Sequence, residues 1–128
     1  MREQNIHIER LCSYHCGNFP FVVSLAYAMQ TKENVCLCFD YCPGGDLSGL
    51  VNSFSPPRLP RALLQKVLAQ LSYATGHLHL IGILHRDLRM SNIMLSANGN
   101  VKIGDFSSAA VVKPLDAEGG SDRFDPYR

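Results

Sequence analysis

Apolar positions recur along the chain at several spacings, and each spacing predicts a different element. Ile6, Ile8, Leu11 and Tyr14 fall at a loose helical spacing, with Glu9 among them. Phe21 to Ala28 and Val35 to Phe39 are apolar runs separated by Thr31-Lys32-Glu33-Asn34, which predicts two strands joined by a turn. Phe54 to Pro60 is a breaker-rich loop. Beyond it Leu64, Val67 or Leu68, Leu71, Thr75 and Leu78 return at helical spacing to about Leu80, where Gly82 ends the run. Pro60 suits the first turn, because its missing N–H would be unpaired there in any case. His77 and His79 are two apart, so on a helix they face different ways and suit packing better than shared ligation. Ile93-Met94-Leu95 and Val101-Lys102-Ile103 flank a segment containing Asn98-Gly99, which predicts a hairpin. After Ser107 the chain turns Gly-, Asp- and Pro-rich and reads as loop.

A length of 128 residues suits one domain with a modest core. The net charge of +1 and 18% charged residues give no electrostatic case for nucleic acid or a membrane surface. No apolar run approaches membrane-spanning length, and Met1 to Asn5 hold no signal-peptide core. The expected location is therefore cytoplasmic or nuclear, where thiols stay reduced. Cys12, Cys16, Cys36, Cys38 and Cys42 are odd in number and unevenly spaced, unlike a disulfide framework. A zinc site could be drawn from Cys12, His15 and Cys16 with a later thiol. Cys36 and Cys38, however, alternate within an apolar run, where small buried thiols are common, so a structural role outweighs metal.

The densest chemistry lies between Leu84 and Ser107. Asp87 and Asn92 share an Arg-flanked loop between two apolar runs, and Asp105 ends a short β-branched strand. The predicted hairpin brings Asn92 and Asp105 to the same end of paired strands. Two acids and a carboxamide converging from two loops suit magnesium and a phosphoryl group, because hard cations take oxygen ligands. Plain surface carboxylates are the alternative, and the double pattern outweighs it.

His85-Arg86-Asp87-Leu88-x-x-x-Asn92 followed by Asp105-Phe106-Ser107 resembles the catalytic loop and D-F-G element of eukaryotic protein kinases. Asn18-Phe19-Pro20-Phe21-Val22-Val23, the next strand and Asp40-Tyr41-Cys42-Pro43-Gly44-Gly45-Asp46-Leu47 are similar to the AGC group of serine/threonine kinases. The resemblance implies an α+β, partial protein-kinase-like fold: the end of an N-lobe sheet, a hinge, a long helix and a catalytic-loop hairpin. It divides the chain into an N-lobe remnant over 1–39, a hinge over 40–46 and the first part of a C-lobe over 47–128. It implies ATP and Mg2+ as cofactors, a protein substrate bearing Ser or Thr, and room for a regulatory protein partner.

By that resemblance Asp87 orients the substrate hydroxyl, Arg89 contacts the γ-phosphate where most serine/threonine kinases have Lys, and Asn92 and Asp105 hold magnesium. Phe39 becomes the gatekeeper beside the adenine, Asp40 and Cys42 offer backbone groups to the purine edge, and Met94 floors the pocket. Asp46 sits near the ribose or a basic substrate side chain. A turn at Pro43-Gly44-Gly45 with Asp46 as a helix cap is the plainer reading, compatible with a hinge. His85, Phe106 and Leu25 become stacked regulatory positions, and Arg86 a binder of a phosphorylated activation loop. Glu9 is one residue out of register with the AGC spacing, Glu3 is a remoter candidate, and a solvated helix charge stands equally open.

Three features depart from the family. No G-x-G-x-x-G and no V-A-I-K-type Lys precede Glu9, no A-P-E follows Ser107, and Ser107 replaces Gly. The sequence reads as the middle of a serine/threonine kinase domain, expected to be inactive and poorly stable in isolation. The alternative is a pseudokinase-like interaction or scaffold module without catalysis.

Overall fold

A helix, α1 (Glu3–Cys16), opens a computed structural model that describes residues 3–17 and 19–112. A hairpin of β1 (Leu25–Gln30) and β2 (Val35–Phe39) follows, then the short helix α2 (Leu47–Asn52) and the long helix α3 (Arg61–Leu80). The chain continues through β3 (Ile83–Leu84), a 3-10 turn at Met90–Asn92, β4 (Ile93–Leu95), β5 (Val101–Ile103) and β6 (Ala110–Val111). The strands form antiparallel pairs: β1 with β2, β3 with β6, and β4 with β5. The fold is α+β. Asn18 and the segment after Val112 lie outside the described residues, as does the side chain of Glu3.

The first strand begins at Leu25 rather than Phe21, and the reason is a competing partner. Phe21 C=O accepts from Ile103 N–H at 2.9 Å, and Val23 N–H donates to Ile103 C=O at 2.9 Å. Phe21 to Val23 therefore attach to β5, with Val22 buried in a parallel bridge to Ile103, before the chain turns into the hairpin. This staple ties the N-terminal third to the β4–β5 hairpin.

Helix α3 supplies the common floor. Val67, Ala74 and Leu78 face inward, while Leu64 and Leu68 are 43% and 54% exposed, so the ambiguous apolar position belongs to Val67. Fully burying a side chain such as Leu78 stabilises by about 1.5–3 kcal/mol. Ile81 N–H and Gly82 N–H bond the carbonyls of His77 and His79, and Gly82 takes φ +77°, the left-handed stop expected of a glycine there. His77 stacks on Phe19 with ring centroids 3.7 Å apart, a packing role. Two apolar clusters result, one around Phe106, Ile103, Leu78 and Cys12, the other around Leu47, Val67, Leu95 and Val101.

Two polar devices seat the β4–β5 hairpin. Gln70 of α3 accepts Val101 N–H at 2.8 Å and donates to Asn100 Oδ1 at 3.0 Å, so helix and strand share one side chain. On the other side Gly44 N–H bonds Leu95 C=O and Leu95 N–H bonds Gly45 C=O. A Cβ at Gly44 would lie 2.6 Å from Leu95 Cβ and 2.8 Å from its carbonyl oxygen, so only glycine permits this approach.

The segment after Ser107 is not all loop: β6 pairs with β3, which sequence pattern missed because two residues carry no periodicity. Cys36 is exposed and Cys38 partly so, against the expectation of buried thiols; Cys12, Cys16 and Cys42 are the buried ones, and all five are free. The β1–β2 hairpin leaves much of its surface open, which is why alternating apolar character did not mean burial at Cys36.

Ser13 of α1 is 1% exposed, and its hydroxyl has no hydrogen-bond partner among the described residues. Burying an unpaired hydroxyl costs about 1–3 kcal/mol. Ser13→Ala is therefore expected to stabilise the chain by about 1 kcal/mol in a urea titration; an equal or lower midpoint would show that the hydroxyl is satisfied.

Candidate active site

The site is assembled where two loops meet at the end of the β4–β5 hairpin. His85, 3% exposed, anchors the first loop to the second: its Nε2–H donates to Gly104 C=O at 2.9 Å, and its Nδ1 accepts Asp87 N–H at 3.2 Å. A carbonyl can only accept and an amide N–H can only donate, so these bonds select the Nε2–H tautomer. The ring packs against Phe106 with centroids 4.9 Å apart.

Arg86 takes φ +66°, a left-handed conformation that costs a non-glycine residue of order 1 kcal/mol or more. Its guanidinium offsets this by gripping the other loop, with Nε donating to Ser108 C=O at 2.8 Å and Nη2 to Ala109 C=O at 3.4 Å. Those carbonyls lie just before β6, so Arg86 and the β3–β6 pair hold the same junction.

Asn92, 7% exposed, is fixed from both ends. Its Nδ2 donates to Asp87 C=O and to Asp87 Oδ2, both at 3.0 Å, and its own carbonyl accepts Gly104 N–H at 2.9 Å. With both amide hydrogens engaged, Oδ1 is the atom left to accept or ligate. Asp105 also takes a left-handed φ of +58°, which aspartate tolerates better than most residues, and Ser107 N–H bonds its carboxylate at 3.2 Å. An amide oxygen and a carboxylate beside each other form a donor set suited to a hard divalent cation.

Both groups face a cavity of about 430 Å3, within the range of small-molecule sites. Phe39, Asp40, Tyr41 and Cys42 line one side, contributed by the connection leaving β2. Val23, Met94, Gly104 and Phe106 add apolar lining, and Asn92 and Asp105 bring an amide and a carboxylate to the same cavity. Asp40 N–H bonds Ser24 C=O at 3.0 Å, which fixes the connection against the strand entry. Apolar walls with an amide and a carboxylate among them suit a flat heterocycle carrying an anionic group with a cation.

Glu9 of α1 also reaches this cavity, whereas its neighbour Arg10 is exposed. Burial raises the Glu9 carboxyl above its ordinary value, and the nearby Asp105 carboxylate pushes it the same way. Sequence spacing left the side chain's direction open; the helix rotation decides it.

The expected site residues thus separate into groups. Phe39, Asp40, Cys42, Met94, Asn92 and Asp105 wall one cavity. Asp87 lies one hydrogen bond behind, and Arg89 pairs with it at 3.5 Å in an exposed contact that adds at most about 1 kcal/mol. Asp46 stands apart: its Oδ1 accepts Gly49 N–H at 2.7 Å and caps α2, as the plainer reading had it. Val23 and Gly104 went unnoticed in the sequence; Gly104, directly before Asp105, was the available hint. Burial pushes the Cys12 thiol up to about 11 and the Cys16 thiol up to about 12, which keeps both protonated, and no group of three or more His, Cys, Asp or Glu side chains among the described residues is placed to hold a metal ion.

A family model described as protein kinase domain matches residues 1–122. The chain belongs to the protein kinase family. It is 41% identical over 91 residues to human citron Rho-interacting kinase, covering 71% of this chain and 4% of that protein. To human serine/threonine-protein kinase MRCK gamma it is 40% identical over 92 residues, 72% of this chain and 6% of the relative. Bovine rhodopsin kinase GRK7 is 33% identical over 108 residues, 82% of this chain and 20% of that protein. The chain therefore spans only a small part of the relatives it matches, and its AGC-like character agrees with these serine/threonine kinases. Kinases of this family generally use ATP and magnesium and act on proteins. No helix among the described residues is long and apolar enough to cross a membrane.

The raised Glu9 carboxyl sets a pH dependence. A carboxyl whose folded value lies above its unfolded one favours folding while protonated, and that contribution is lost as pH rises through the folded value. Relative to Glu9→Gln, the chain without nucleotide or metal should therefore lose stability as pH climbs from about 4.5 toward neutrality. Denaturation midpoints at pH 4 and pH 7.5 check this; a difference between the two proteins that is the same at both pH values would contradict it.

Proposed function

We propose that this chain carries the nucleotide and catalytic segment of a serine/threonine protein kinase, which transfers the γ-phosphate of ATP to a protein hydroxyl. Residues 1–39 belong to the end of its N-lobe, 40–46 to the hinge, and 47–128 to the first part of its C-lobe. The observation that carries the reading is that Asn92 and Asp105 line one cavity while Asp87 is hydrogen-bonded to Asn92 directly behind it.

In this reading Phe39 and Met94 enclose the adenine, and backbone groups of Asp40 and Cys42 meet its polar edge. Asn92 Oδ1 and the Asp105 carboxylate hold magnesium, a choice supported by the orientation that Asp87 imposes on the Asn92 amide. Bound magnesium supplies neutralisation of phosphate charge. Asp87 has Oδ2 occupied by Asn92 and Arg89, so Oδ1 takes the hydrogen bond from the substrate hydroxyl and orients its attack. Arg89, partly solvated, can turn its guanidinium to a phosphate oxygen. Asp46 stays with α2 unless a basic substrate side chain competes for it.

The test is transfer of labelled γ-phosphate to a mixed Ser/Thr peptide pool, using the protein at the length its cells make. Asp87→Asn should lower kcat roughly 100- to 10,000-fold with nucleotide affinity little changed. Equal rates would refute the assignment. No transfer by the unmutated protein, with nucleotide still bound, would favour an interaction module instead.

A further inference from the structure

Where the family has glycine after Asp-Phe, this chain has a hydroxyl, and that hydroxyl is not idle. Ser107 Oγ donates to Asp105 Oδ1 at 2.5 Å, and Ser107 N–H donates to the same oxygen at 3.2 Å. One carboxylate oxygen thus carries two donors, while among the described residues no such bond engages Oδ2. A glycine would leave only the backbone donor. Hydrogen bonds to a charged acceptor are short and strong, and a proton on an oxygen occupies the space and electron density that a cation would use.

We infer that Ser107 is a positioning residue that sets metal affinity at Asp105, holding Oδ1 out of the coordination sphere so that the carboxylate binds through Oδ2 alone. This rests on the kinase reading above, since it takes Asp105 as a cation ligand. Its chemistry is independent of catalysis. Binding through both oxygens of a carboxylate requires the O–H···Oδ1 bond to break; binding through one does not. The site therefore gains its cation more weakly than one with glycine at this position, and it suits a small cation content with few protein oxygens better than a larger one that takes bidentate carboxylates. The left-handed φ of Asp105 and the turn closed by Ser107 N–H hold the two residues in this relation.

Mn2+ binding followed by electron paramagnetic resonance on the full-length protein tests this without any turnover. Mn2+ alone is the probe, followed by Mn2+ with a non-hydrolysable ATP analogue. Ser107→Ala should tighten Mn2+ roughly 3- to 10-fold, the value of one hydrogen bond released. Ser107→Thr, which keeps a hydroxyl, should stay near the unmutated value. Affinity for the nucleotide analogue without metal should not move, as it would if Ser107 merely supported the fold. Unchanged or weaker Mn2+ binding in Ser107→Ala overturns the proposal, the weaker case pointing to the hydroxyl as a ligand. Asp105→Asn separates the two readings: if it leaves Mn2+ binding intact, the cation site itself is wrong and the inference falls with it.

Discussion

The hydrogen bond from His85 Nε2 to Gly104 C=O, one residue before Asp105, joins the loop that carries Asp87 to the loop that carries the second acid. Around it run Asp87 N–H to His85 Nδ1, the Asn92 amide to Asp87, and Gly104 N–H to Asn92 C=O. The network closes on itself: every one of these residues bonds at least one other in it. Buried polar networks reward completeness, because a bond inside the protein is stronger than in water and a group left unpaired there is costly. That is why a single histidine tautomer and one amide orientation are selected, and why Asn92 presents an oxygen rather than a nitrogen. The left-handed backbone at Arg86 is tolerated because its side chain spans to Ser108 and Ala109.

This network is only as rigid as the hairpin beneath it. Gln70 from α3, the close approach of Gly44 and the Val22–Ile103 bridge hold β4 and β5 from three directions, each through backbone groups that would otherwise need water. Helix α1 is held differently. It docks through Cys12, Cys16 and Ile8, carries a buried hydroxyl without a partner among the described residues, and brings a half-buried carboxyl to the cavity that Asp105 also lines. Its seat therefore combines apolar gain with polar cost, so α1 is the part of the site whose position charge and solvent can shift most readily.

Much of this was legible in the sequence because the informative signals are local. Helix α3, the hairpin at Ile93 to Ile103 and the catalytic loop each announce themselves within a dozen residues by period, turn chemistry or motif. What escaped was set by distant partners. Phe21 to Val23 look like strand but bond β5; Ala110 and Val111 look like loop but pair with β3; Cys36 sits in an apolar run yet faces solvent. The direction of Glu9 depends on the rotation of α1 against the hairpin, which no spacing count within the helix can give. Asp46 offered two compatible roles, and its carboxylate forms the cap on α2.

The most direct measurement is a crystal structure of the protein with Mg2+ and an ATP analogue whose γ-phosphate cannot be transferred. The account predicts the adenine between Phe39 and Met94, the cation on Asn92 Oδ1 and Asp105, and the His85–Gly104 bond unchanged. A nucleotide bound elsewhere, or a cation that ignores Asn92 with its amide turned the other way, would contradict it.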